Sequence, residues 1–161
     1  MTAKADFTPE EWEALRRGPL VAGMAVTFAD PGGPIEITKE TLAAQRAVAA
    51  PPGDLDLLVA LSQDAMAHAK EMRHLKDDLG LKGATVREQI AAELGRVEGI
   101  VSAKATPEEA AAFREWLMQA AQASADAAKE GGFMGIGAVR VSEGEQAMLA
   151  KLREILGLPA A

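Results

Sequence analysis

Apolar positions in this chain recur at three- and four-residue steps, the spacing of one face of an α-helix. Over 54–79 they fall at Leu57, Leu61, Ala65, Met72, Leu75 and Leu79, with His68 on the same line, which predicts one long helix with a single stripe. The segment 85–103 carries Val86, Ile90, Leu94, Val97 and Val101 on one side. In 107–129 the stripe is Phe113, Leu117, Ala120 and Ser124, continued by Ala127, and a last helix over 142–156 presents Met148, Leu152 and Ile155. Nearer the N-terminus the pattern predicts a short helix over 9–17, a buried one from Pro19 to Ala29, and a third over 38–50. A strand is conceivable only at Val26–Phe28, where the flanking helix signals prevail.

Local residues mark the helix ends. Four segments match the S/T-x-x-E capping box: Thr8 to Glu11, Thr85 to Glu88, Thr106 to Glu109 and Ser142 to Glu145. In each, the hydroxyl can accept from the third helical amide while the glutamate reaches back to the cap amide. Pro9 and Pro107 occupy the first helical position, where a missing N–H costs nothing. Phe7 with Trp12, and Ile37 with Leu42, are spaced as hydrophobic staples around Thr8 and Thr38. Gly18-Pro19, Asp30 to Pro34, Pro51-Pro52-Gly53 and Gly80 to Gly83 read as stops or turns.

The opening T-P-E-E-W-E-A-L at Thr8 returns as T-P-E-E-A-A-A-F at Thr106. Each copy begins an apolar-rich segment, runs into glycines, and restarts at Ile35-Glu36-Ile37-Thr38 or Val139-Arg140-Val141-Ser142. The expected architecture is therefore all-α: one domain over 1–161, a compact bundle of six to seven helices. Segments 7–50 and 106–157 read as related helix–Gly-rich loop–helix halves, with 54–103 as middle helices. Abundant alanine suits close helix approach and a small-residue core, in one chain or in a symmetric dimer.

Composition narrows the function classes. A formal net charge of −7 with no basic stripe, no Tyr, and few Phe and Trp disfavours nucleic acid as a partner. Zero cysteines exclude disulfides, thiolate metal sites and a cysteine nucleophile, and fit a reducing compartment. The N-terminus has no apolar signal region, and the longest apolar run, Leu20 to Ala29, is too short to span a bilayer. The expectation is a bacterial-type cytoplasmic protein without a membrane span.

Three features are candidates for chemistry. Glu71 and His74 form an E-x-x-H step, with Asp78 on the same helical face, as carboxylate-bridged metal bundles use. A second such motif needs a third histidine, which one subunit lacks, so a metal would need a dimer. The favoured alternative puts His68 on the core stripe and leaves Glu71, His74 and Asp78 as a solvated face. The Gly-rich segment 131–138 carries Phe133, Met134 and Ile136 but no Lys or Arg to complete a phosphate site. These three residues read as plugs tucked onto the bundle, as the rim of an apolar ligand site, or as a partner-binding patch. Gly95 and Gly99 form a G-x-x-x-G step that predicts a close intramolecular helix crossing, with a homodimer seam as the alternative. The remaining carboxylates read as helix-face charges, and there is no G-x-S-x-G nucleophile elbow.

The frame Phe7–Leu15, Lys104–Glu109 and Val141–Glu145 resembles a family of small, uncharacterised, all-helical bacterial proteins, a likeness that brings no activity and no catalytic residues. More faintly, Ala29–Leu42 is similar to the tellurite-resistance helical family, whose acidic loops suit metal ions. Here Asp30 stands alone before Pro31, Gly32, Gly33 and Pro34, which argues against metal at that loop. The sequence reading is a non-enzymatic protein that binds another protein or itself, with a homodimer as one form. The second reading is a bundle that holds a small apolar or cofactor-like molecule, with 131–138 as its rim; no particular cofactor is implied.

Overall fold

The computed structural model describes residues 2–129 and 141–160, side chains of 128 and 129 excepted. Among the described residues there are seven α-helices and no strand: α1 Pro9–Ala29, α2 Pro34–Val48, α3 Asp56–Ala67, α4 Leu75–Asp78, α5 Val86–Lys104, α6 Pro107–Lys129 and α7 Glu143–Ile155. The chain is the all-α bundle its periodicity predicts. Central α1 packs against α2, α3, α5, α6 and α7, and α2 lies along α6. No helix among the described residues is long and apolar enough to cross a membrane.

Three of the four capping boxes form. Thr8 Oγ1 accepts from the Glu11 amide at 3.2 Å while Glu11 accepts from the Thr8 amide at 2.8 Å. The boxes at Thr106 and Ser142 repeat this geometry. The fourth does not form: a 3₁₀ turn over Gly83–Thr85 runs straight into α5, leaving Thr85 without a capping hydrogen bond to the helix amides. The Phe7–Trp12 staple is present, with ring centroids 5.8 Å apart. Phe113 and Trp116, both wholly buried, meet edge to face in the core, and Trp116 Nε1 donates to the Ala47 carbonyl at 2.8 Å. All five stripe residues of α5 are buried.

Elsewhere tertiary packing overrides local signals. Gly18-Pro19 does not end a helix; α1 continues through both. Pro19 forfeits one helical hydrogen bond, yet residues on either side of it, Leu15, Leu20 and Val21, are fully packed. Gly18 serves the crossing with α6 instead: a Cβ there would stand 3.2 Å from Phe113 Cζ. The 54–79 segment is not one helix. α3 ends at Ala67, a turn follows, and a 3₁₀ segment Glu71–His74 leads into the four-residue α4. No Gly or Pro marks that break; turning there seats Leu75 and Leu81 in the core.

α2 also starts earlier than its threonine suggests. Gly33 is its cap and Pro34 its first residue, so Thr38 lies inside the helix and donates back to the Pro34 carbonyl at 2.8 Å. The Ile37–Leu42 staple does not form, and both side chains are exposed. The G-x-x-x-G crossing is absent as well: Gly95 and Gly99 face outward, with nothing within 4 Å of where a Cβ would stand. The close crossing is on α1, where a Cβ on Gly23 would be 2.6 Å from Ala44 Cβ and 2.9 Å from Ser124 Oγ. Gly23 is thus the point where α1, α2 and α6 meet.

Candidate functional site

Beside that meeting point a cleft of about 350 Å³ opens between α1, α2 and the segment leading into α4. Helical spacing builds its walls. Met24 and Phe28, four apart, face it from α1; Ile37 and Ala44, seven apart, face it from α2; Met72 and Leu75 close the third side. Ser124 of α6 reaches the cleft and donates its hydroxyl to the main-chain carbonyl of Glu40 at 3.2 Å, pinning α2 at that residue. The break after α3 therefore has a consequence: an uninterrupted helix would not carry Met72 and Leu75 on this path. Arg87 fixes the far end of α1 by donating to the carbonyls of Phe28 and Ala29 at 3.1 and 2.9 Å.

Glu40 is the anomaly of the site. It lines the apolar cleft, yet it is only 1% exposed. Its Oε2 has no hydrogen-bond partner among the described residues. Burial pushes the carboxyl above the ordinary glutamate range; the Thr27 hydroxyl opposes the rise, and Glu145, Glu36 and Asp30 add to it. An unpartnered buried polar group costs about 1–3 kcal/mol. A buried oxygen left without a partner calls for an explanation, and a functional site is one. Glu40 escapes a reading that assigns every carboxylate to a solvated face. The signal that finds it is spacing: Glu40, Ala44 and Val48 fall four residues apart on the buried stripe of α2.

Of the residues the sequence singles out, Phe133, Met134 and Ile136 lie outside the described residues. Glu71, His74 and Asp78 are all exposed. Glu71 accepts from the Arg16 guanidinium at 3.1 Å, and Asp78 stands 3.7 Å from that of Arg17. Among the described residues no group of three or more His, Asp or Glu is arranged to hold a metal ion. His68 is half-buried at the end of α3, with Nδ1 2.7 Å from the Asp64 carbonyl oxygen. The opening of the tellurite-resistance likeness changes too, since the helix after Asp30 begins at Pro34 and not at Thr38.

A second buried carboxylate shows what satisfied burial looks like. Glu109, 3% exposed, accepts from the Thr2 amide and hydroxyl and from the Thr106 amide. Burial acts to raise its pKa, but the hydrogen bonds from Thr2 and Thr106 prevail and bring it down to about 2. Glu109 ties the N-terminal arm to the start of α6 and is structural; Glu40 has no such set of partners. Comparison with family models, with curated proteins and with solved structures gives no match, so the resemblances noted from the sequence rest on their motifs alone.

Proposed function

We propose that this protein is a small-molecule binder, a helical bundle holding an apolar ligand in the α1–α2 cleft with Glu40 meeting the ligand's polar end. One observation carries the reading: a buried carboxyl whose Oε2 has no partner among the described residues stands in the wall of a mostly apolar cleft. Small-molecule sites are mostly apolar with few placed polar groups, and about 300–1,000 Å³ in volume, a range that includes this one. Exposed Ile37 at the mouth supplies further apolar contact. The 131–138 segment, which the sequence offers as the rim of such a site, lies outside the described residues.

Methionine methyl groups report on the site. In a protein labelled at the methionine methyls, cyclohexylmethanol is expected to shift the resonances of Met24 and Met72, which line the cleft, and to leave core Met118 in place. Unmoved Met24 and Met72 at millimolar probe overturn the proposal.

Protein or self binding keeps one specific support. Ile35 is 69% and Leu42 46% exposed, and seven residues apart they share the outer face of α2. This second reading expects an oligomer in native mass spectrometry that Ile35→Asp with Leu42→Asp converts to monomer. A wild-type monomer that captures no partner removes it.

A further inference from the structure

We infer that the ligand of the cleft is a small apolar amine, bound as an ammonium ion whose N–H groups donate to the Glu40 carboxylate; the inference rests on the cleft being a ligand site. Geometry carries it: Glu40 is almost wholly buried in the cleft wall with Oε2 unpartnered among the described residues, and the surrounding charges agree. Glu36 on the same helix, Asp30 at the end of α1 and Glu145 on α7 all act on Glu40 with negative charge. Glu145 is itself 5% exposed and committed to the Ser142 cap, so its charge is fixed in place. A cation at the Glu40 end of the cleft relieves this crowding of like charge; an anion there aggravates it.

Arg73 and Lys76 also line the cleft, with Lys76 Nζ 5.6 Å from the centroid of the Phe28 ring. The cleft lining is therefore polarised, with its one acid among the described residues, Glu40, on α2 and its bases, Arg73 and Lys76, on the segment before and within α4. An amine with a compact apolar body fits this pattern when its nitrogen points to α2. An acid would have to turn its carboxylate to Arg73 and Lys76, leaving Glu40 Oε2 buried and without a partner among the described residues.

Access follows from the carboxyl's own freedom. Oε2 is hidden from solvent, so reaching a ligand requires the earlier side-chain torsions of Glu40 to turn and carry the carboxyl toward the cleft. Where Glu40 holds a proton in the empty cleft, that proton leaves to solvent as the ammonium arrives. The bound pair is then carboxylate and ammonium, with no covalent change.

A matched trio of probes tests this: cyclohexylmethylamine, cyclohexylmethanol and cyclohexanecarboxylate share one ring and differ in the charge of the polar end. Calorimetric titration of wild type is expected to rank the amine at least roughly tenfold tighter than the alcohol, with the carboxylate weakest. Glu40→Gln, which keeps the shape and removes the charge, is expected to erase the preference for the amine while still binding the alcohol. Equal binding of amine and alcohol, or a preference for the carboxylate, overturns the amine assignment but leaves the cleft as a ligand site. If none of the three binds the correctly folded wild type, the cleft reading itself falls.

Discussion

The Glu40→Met substitution removes a buried carboxyl and leaves an unbranched side chain in an apolar wall, so its effect on stability follows from the contacts. The wild-type residue leaves Oε2 unpartnered, worth about 1–3 kcal/mol of destabilisation. Methionine gives up the interaction with the Thr27 hydroxyl, worth about 1 kcal/mol, so the net gain is about 0–2 kcal/mol. For a chain of this size each kcal/mol moves Tm by about 2–4 °C, which makes the expected rise up to about 8 °C.

The gain also has a pH signature. The native pKa of Glu40 lies above its unfolded value of about 4.5, so the native state binds more protons. Wild type is then relatively stable below that value and loses stability as pH rises toward the native pKa. Methionine does not titrate, so the advantage of Glu40→Met is larger at pH 7.5 than at pH 4. Thermal melts of both proteins by circular dichroism at the two pH values measure it. A lower Tm for Glu40→Met at pH 7.5 would refute the reasoning, because it would make Glu40 a structural residue like Glu109.

Three further outcomes follow from the packing. Gly23→Ala forces a Cβ into contacts of 2.6 and 2.9 Å with Ala44 and Ser124, and is expected to cost about 1–3 kcal/mol in urea denaturation; an unchanged midpoint contradicts the crossing described. Gly95→Ala and Gly99→Ala meet open space and are expected to stabilise α5 by up to about 1 kcal/mol each; destabilisation on dilution-sensitive melting would point to a homodimer seam there. Glu109 has its pKa depressed to about 2, so its contribution, on the order of 3 kcal/mol, is present above pH 4.5 and lost as pH falls toward 2. Glu109→Gln is expected to flatten that part of the acid denaturation curve, and an unaltered curve would remove Glu109 from the account.

What the sequence discloses and what it hides divide along a physical line. Features decided by neighbours in the chain are legible: the boxes at Thr8, Thr106 and Ser142, the Phe7–Trp12 staple, and the buried stripe of α5. Features decided by distant contacts are not. Pro19 stays helical because the surrounding α1 surface is packed on several helices, and the break after Ala67 has no breaker residue to announce it. The glycine step at 95 and 99 has the spacing of a crossing but no partner, whereas Gly23, with no motif around it, has two. The cleft depends on that crossing and on the break, so its shape is hidden from the sequence even though Glu40 sits visibly in register with Ala44 and Val48.

The central claim is that the α1–α2 cleft binds a small apolar molecule against Glu40, and diffraction from crystals grown with cyclohexylmethylamine tests it most directly. The account predicts the ring between Met24, Ala44 and Met72, with the nitrogen about 3 Å from a carboxyl oxygen of Glu40. An empty cleft at saturating probe, or the probe held elsewhere with Glu40 still unpartnered, would contradict it.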